Sequence, residues 1–109
     1  MKPDPRVLDD LVKRIRDAVH PLRIILFGSA ARGEMGPDSD LDVLVVMPDG
    51  THRLHTSMNL HRQARGLGVP KDILVATESD VRAAADNPYV VLHDALRDGV
   101  ELYRAAASP

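Results

Sequence analysis

The run Leu41-Asp42-Val43-Leu44-Val45-Val46 constrains this chain more than any other stretch. It is too short for a core helix, is rich in β-branched residues and is closed by Pro48-Asp49-Gly50, so it reads as a strand. A strand cannot stand alone, because its backbone donors and acceptors need neighbours. Two further apolar runs supply them. Leu22 to Phe27 stops at Gly28, and Lys71 to Ala76 follows Pro70.

Helical patterns separate these runs. Val7, Leu8, Leu11, Val12, Ile15 and Val19 form one stripe that predicts an N-terminal helix over about 6–19, ended by His20-Pro21. Residues 28–39 hold three glycines and read as a turn, a short helix from Ser29 to Arg32 and an irregular loop. A helix is expected from His52 to Leu67, closed by Gly66 or Gly68. Thr77-Glu78-Ser79-Asp80 fits a capping box before Val81 to Ala85. Asn87-Pro88 reads as N-cap and first residue of a helix to Asp98, with Gly99 as its stop. Val100 to Tyr103 alternates as a last short strand, and 104–109 reads as a frayed tail. Interleaved strands and helices predict an α/β fold with a small mixed sheet. At 109 residues the chain is expected to form a single domain over 1–109, with its core over about 22–103.

Bulk properties narrow the function classes. The absence of cysteine excludes disulfides, thiolate metal sites and a cysteine nucleophile. Met1 to Pro5 lacks the apolar run of a signal peptide and no stretch has the length of a membrane span, so a cytoplasmic protein without membrane contact is expected. A net charge of -2 and the absence of tryptophan argue against direct nucleic-acid binding.

Three features carry chemistry. Gly28-Ser29 sits where a buried strand hands over to a turn, so backbone amides and the Ser29 hydroxyl can meet an anion, with Arg32 one helical turn on. Asp40 and Asp42 are two apart at a strand start, which puts both carboxylates on one face while Leu41, Val43 and Val45 take the other. Such a pair repels unless a cation lies between, and Mg²⁺ suits these oxygen ligands. Asp72 enters the third apolar run, where a carboxylate needs a partner or a metal. Each feature has a plain structural alternative: a simple turn, a solvated strand end, and an ion pair with Lys71 or a neighbouring arginine. The combination is more specific. With residue frequencies of roughly one in fifteen, Gly-Ser followed after ten residues by Asp-x-Asp arises by chance in such a chain on the order of once in a thousand.

Leu26-Phe27-Gly28-Ser29-Ala30-Ala31-Arg32-Gly33, followed by Asp38-Ser39-Asp40-Leu41-Asp42-Val43-Leu44-Val45, resembles the signature of the minimal nucleotidyltransferases of the DNA polymerase beta-like superfamily. Lys71-Asp72-Ile73-Leu74-Val75 matches the place of that superfamily's third carboxylate, and Leu96 to Tyr103 is similar to how these short domains finish. Many relatives carry arginine directly after the Gly-Ser; Ala30 stands there instead and leaves more to Arg32. The resemblance implies a polymerase beta-like nucleotidyltransferase fold and two Mg²⁺ ions on Asp40, Asp42 and Asp72. It also implies ATP as substrate, held by Gly28, Ser29 and Arg32. Asp72 is then placed to take the acceptor's proton. Short stand-alone members usually act as antitoxins, transferring AMP to a tyrosine of a helical HEPN ribonuclease toxin, in a homo- or hetero-oligomer. Two alternatives stay open: an antitoxin that neutralises its partner by binding alone, and an enzyme acting on an RNA end or a small molecule.

Other residues invite weaker readings. His52, His55 and His61 are expected to be exposed helix histidines rather than metal ligands. Tyr89 and Tyr103 suit packing or an interface, Asp38 a brace for its loop, and Lys13, Arg14, Arg16 and Arg23 a solvated basic face.

Overall fold

The computed structural model of the chain describes residues 1–87 and 91–106. Four strands, β1 (Arg23–Phe27), β2 (Leu41–Met47), β3 (Lys71–Thr77) and β4 (Val100–Arg104), form one sheet in the order β3-β2-β1-β4. β1 runs antiparallel to both β2 and β4, whereas β2 and β3 are parallel. The sheet is therefore mixed, as the sequence leads one to expect. Five helices accompany it: α1 (Pro5–Val19), α2 (Gly28–Arg32), α3 (Arg53–Gln63), α4 (Glu78–Ala85) and α5 (Val91–Asp98).

Parallel strands require a crossover, and α3 provides it between β2 and β3. Its partner on that face is α1, which opens with Asp4 as N-cap and Pro5 in the first turn. Leu11 and Ile15 of α1 and Leu60 of α3 pack with Ile24, Leu26, Leu41, Val43, Val45 and Ile73 of the sheet. The opposite face is smaller. There Ile25, Leu44, Val46 and Ala76 meet Ala95 of α5, with Leu92, Leu96 and Val81 beside them. The alternation of β2 between the two clusters follows from the period of two along a strand.

The elements differ from the sequence reading in three places. α3 ends at Gln63, not Leu67, because residues 64–69 turn through Gly66 and Gly68 at positive φ. Arg14 is not a free surface cation: its Nη1 donates to the carbonyls of Gln63 and Arg65, satisfying orphan acceptors at the end of α3. Arg23 likewise is paired, with Glu101 across the sheet at 3.0 Å. The capping box is present, with Thr77 and Asp80 bonding each other's backbone amides. Tyr103 packs against the larger core cluster. The expected start of the last helix at Pro88, and Tyr89, lie outside the described residues.

Gly99 joins α5 to β4 where no side chain fits. A Cβ there would collide with the Ala95 carbonyl and the Ile25 Cγ2 and come within 3.2 Å of the Leu26 carbonyl. Gly99→Ala is expected to destabilise the chain by about 1–3 kcal/mol, as overpacking does. Urea denaturation monitored by circular dichroism will check this. An unchanged midpoint would show that the turn is not held against β1.

Candidate active site

Register brings the acidic residues together. Phe27 at the end of β1 stands opposite Asp42, and Asp42 stands opposite Asp72 across the parallel pair. One row across three strands thus carries an aromatic ring and two carboxylates. Both carboxylates lie on the sheet face that bears Leu44 and Ala76, away from α1 and α3. Asp40 precedes β2 by one residue, so it approaches the row from the loop rather than from the strand.

Gly28 closes the row from the other side. Its φ of +70° lies in the left-handed region, and a Cβ there would run into the Asp42 carboxylate. Glycine is therefore required twice at this point, for backbone conformation and for space. The close approach expected between Gly28 and a ligand is in this structure an approach to Asp42. α2, which begins at Gly28, has no side-chain cap from Phe27, and the Ser29 Oγ has no hydrogen-bond partner among the described residues. Unpaired amides and a free hydroxyl at a strand-to-helix turn are donors that an anion can meet.

The electrostatics of Asp42 report how near its neighbours are. Burial holds its carboxyl above the usual carboxylate range, and the charges of Asp72 and Asp40 push in the same direction; Arg32 pulls the other way. None of the three carboxylates has an ion-pair or hydrogen-bond partner among the described residues. The pairing of Asp72 with Lys71 or an arginine is thus not what the structure contains. Asp72 is exposed rather than entering a fully buried strand, because β3 is the edge of the sheet. The three carboxylates do not form a closed cage: among the described residues no three His, Asp or Glu side chains are already arranged to enclose a metal ion. The donor set fits a hard cation all the same, since neighbouring oxygen donors of like charge gain most from a positive charge between them.

Arg32 is exposed and bonded to Glu34 at 2.9 Å. Its charge still reaches Asp42, and it reaches Asp98 at the end of α5 as well. Neither Glu34 nor Asp98 was indicated by the sequence, where only spacing along α2 pointed to Arg32. The histidines form no site. His52 caps α3 through Nδ1, its ring stacks on that of His55 at 4.0 Å, and the His61 Nδ1 lies 3.2 Å from the Ser57 carbonyl. In the loop it is the Ser39 hydroxyl that braces the backbone, accepting from the Gly36 amide; Asp38 is exposed.

Mixed sheet, glycine turn and neighbouring carboxylates offer an anion and a cation adjoining places. Comparison with known proteins makes this specific: residues 8–97 match the model of the nucleotidyltransferase domain, and the chain belongs to that family. It is similar to the bifunctional uridylyltransferase/uridylyl-removing enzymes of two Burkholderia orbicola strains, AU 1054 and MC0-3, at 32% and 31% identity over 83 residues. Those 83 residues are 73% of this chain but only 9% of either enzyme. Its fold is also that of a Sulfolobus solfataricus protein described provisionally as a nucleotidyltransferase. That likeness has a TM-score of 0.61 and 24% identity, over 91% of this chain and 81% of the other.

The raised proton affinity of Asp42 has a direct consequence. A carboxyl raised in the folded state binds its proton more tightly there than in the unfolded chain. Its stabilising contribution is present in acid and is lost as pH rises through the folded-state value. At neutral pH and without divalent cations, Asp42→Asn should therefore raise the melting temperature by a few degrees. Mg²⁺ is expected to raise the melting temperature of the wild type further and to leave that of Asp42→Asn unchanged. Thermal scans with and without Mg²⁺ decide it, and a variant that melts lower than wild type in EDTA would contradict this electrostatic picture.

Proposed function

We propose that this chain transfers AMP from ATP to a hydroxyl of a protein partner, as a minimal nucleotidyltransferase. The observation that supports this best is the direct opposition of Asp42 and Asp72 beside the Gly28 turn, with Asp40 adjoining. Asp40, Asp42 and Asp72 would hold two Mg²⁺ ions, which when bound neutralise phosphate charge and lower the pKa of the acceptor hydroxyl. Ser29 and the first amides of α2 hold the leaving phosphates, and Arg32 exchanges Glu34 for them. The acceptor oxygen bonds to the α-phosphorus while the bond from that phosphorus to the bridging oxygen breaks, so pyrophosphate departs. The acceptor's proton passes to Asp72. Positioning and charge neutralisation carry most of the rate.

The resemblance to the minimal nucleotidyltransferases suggests a tyrosine of a HEPN-type ribonuclease toxin as acceptor, with this chain the cytoplasmic antitoxin. Among the described residues no helix is long and apolar enough to cross a membrane, which is compatible with that role. The Burkholderia relatives are named for uridylyl transfer, so UTP is the donor to compare with ATP.

Intact mass spectrometry of the protein encoded beside this chain, co-expressed with it, tests the proposal. Whole AMP units are expected on the partner with the wild type and none with Asp42→Asn. A partner that stays unmodified yet remains bound and inhibited with Asp42→Asn would leave neutralisation by binding alone. Modification by UMP, or of an RNA end or small molecule in place of protein, would replace the donor or the acceptor in the proposal.

A further inference from the structure

α3 needs only one side of itself to hold the fold. Leu60, with Ala64 just past the helix end, packs into the larger core cluster. On the side turned away, Leu54 and Met58 stand one helical turn apart and are 64% and 53% exposed. Single exposed apolar residues are ordinary on a protein surface, whereas two in line on one helix make a patch. Met58 also borders an open hollow of about 530 Å³ with Arg62 and Arg65. Nothing in the phosphate chemistry described above uses this surface, which lies across the sheet from Asp42 and Asp72.

Charge marks the same surface. From Gly50 to Lys71 the chain has no Asp or Glu, although its net charge is -2. Arg53 reaches Asp80 of α4 at 2.7 Å. The Arg62 and Arg65 side chains, both exposed, have no ion-pair or hydrogen-bond partner among the described residues. Two unpaired guanidinium groups beside an apolar pair decide what can cover the patch. A second copy's α3 would bring more arginine and no carboxylate, and would desolvate like charges. Nucleic acid would satisfy the arginines but lay a sugar-phosphate backbone on Leu54 and Met58. No Phe, Tyr or Trp stands on α3 for a base to stack on. An acidic protein segment supplies both halves: carboxylates that arginine takes in bidentate fashion, and apolar side chains that leucine and methionine receive. Arginine and methionine are also residues that protein interfaces favour.

We infer that the outer face of α3 is a docking surface for an acidic amphipathic segment of a protein partner. The partner's apolar side chains rest on Leu54 and Met58, and its carboxylates pair with Arg62 and Arg65. The surface is independent of the nucleotidyl-transfer reading. Set behind the sheet, it holds a partner without covering Asp42 or Asp72.

Isotope-labelled protein titrated with a helical peptide, leucine on one face and glutamate on the other, tests this by NMR. Saturable shifts are expected at the amides between Leu54 and Arg65, and none from a counterpart with lysine in place of glutamate. The double variant Arg62→Glu, Arg65→Glu should weaken the peptide at least about tenfold, and Leu54→Ser, Met58→Ser as much. All four side chains are exposed, so both variants keep the fold, which the unshifted sheet amides report. Absence of saturable shifts, equal binding of the lysine peptide, or wild-type affinity in both variants would overturn the inference. A uridine oligonucleotide that moves the same amides as strongly would make the face an RNA surface instead. Amides of α3 that shift on dilution of the protein alone would put a second copy there and overturn it likewise.

Discussion

The parallel pairing of β2 with β3 sets Asp42 beside Asp72 inside a sheet whose other inward residues are apolar, and most of the molecule serves that juxtaposition. Parallel neighbours cannot be joined by a hairpin. The chain must leave the sheet after Met47, cross one face as α3 and return at Lys71. That crossover brings α1 and α3 together and creates the larger core cluster. The antiparallel partner β1 then ends level with Asp42, which is why the turn that follows it has to be glycine. Two acids and one glycine at a common level thus follow from strand order and register, not from any local motif.

This arrangement works against stability. A part-buried carboxylate with two like charges near it and no ion-pair partner among the described residues opposes folding at neutral pH. The apolar layers beneath it, anchored by Val43, Val45 and Leu41, keep the sheet closed despite it. The smaller helical layer over β3 is the other concession, since it leaves Leu74 uncovered.

Much of this was legible in the sequence because it is written in short-range patterns. The three apolar runs, the capping box at Thr77 and the amphipathic stripe of α1 each announce their element within ten or fifteen residues. The convergence of Asp40, Asp42 and Asp72 was readable only by combining strand periodicity with a family resemblance, since strand order and direction are long-range properties. What stayed hidden depends on three-dimensional neighbours. The contact of Gly28 with Asp42, the hold of Arg14 on the end of α3, and the engagement of Arg32 with Glu34 have no periodic signature. The exposure of Asp72 was misjudged because apolar neighbours in sequence suggest burial, whereas an edge strand keeps one side open.

The central claim is that these three carboxylates act as one cation site beside the Gly28 turn. Mn²⁺, substituted for Mg²⁺ and added at low ratio, broadens NMR signals only near where it binds. The account predicts that the amides of Gly28, Ser29, Asp40, Asp42 and Asp72 broaden first and together, and more sharply once ATP is present. Broadening that begins elsewhere, at Asp9 and Asp10 of α1 or at Asp49, or that leaves the Asp42 amide sharp, would contradict it.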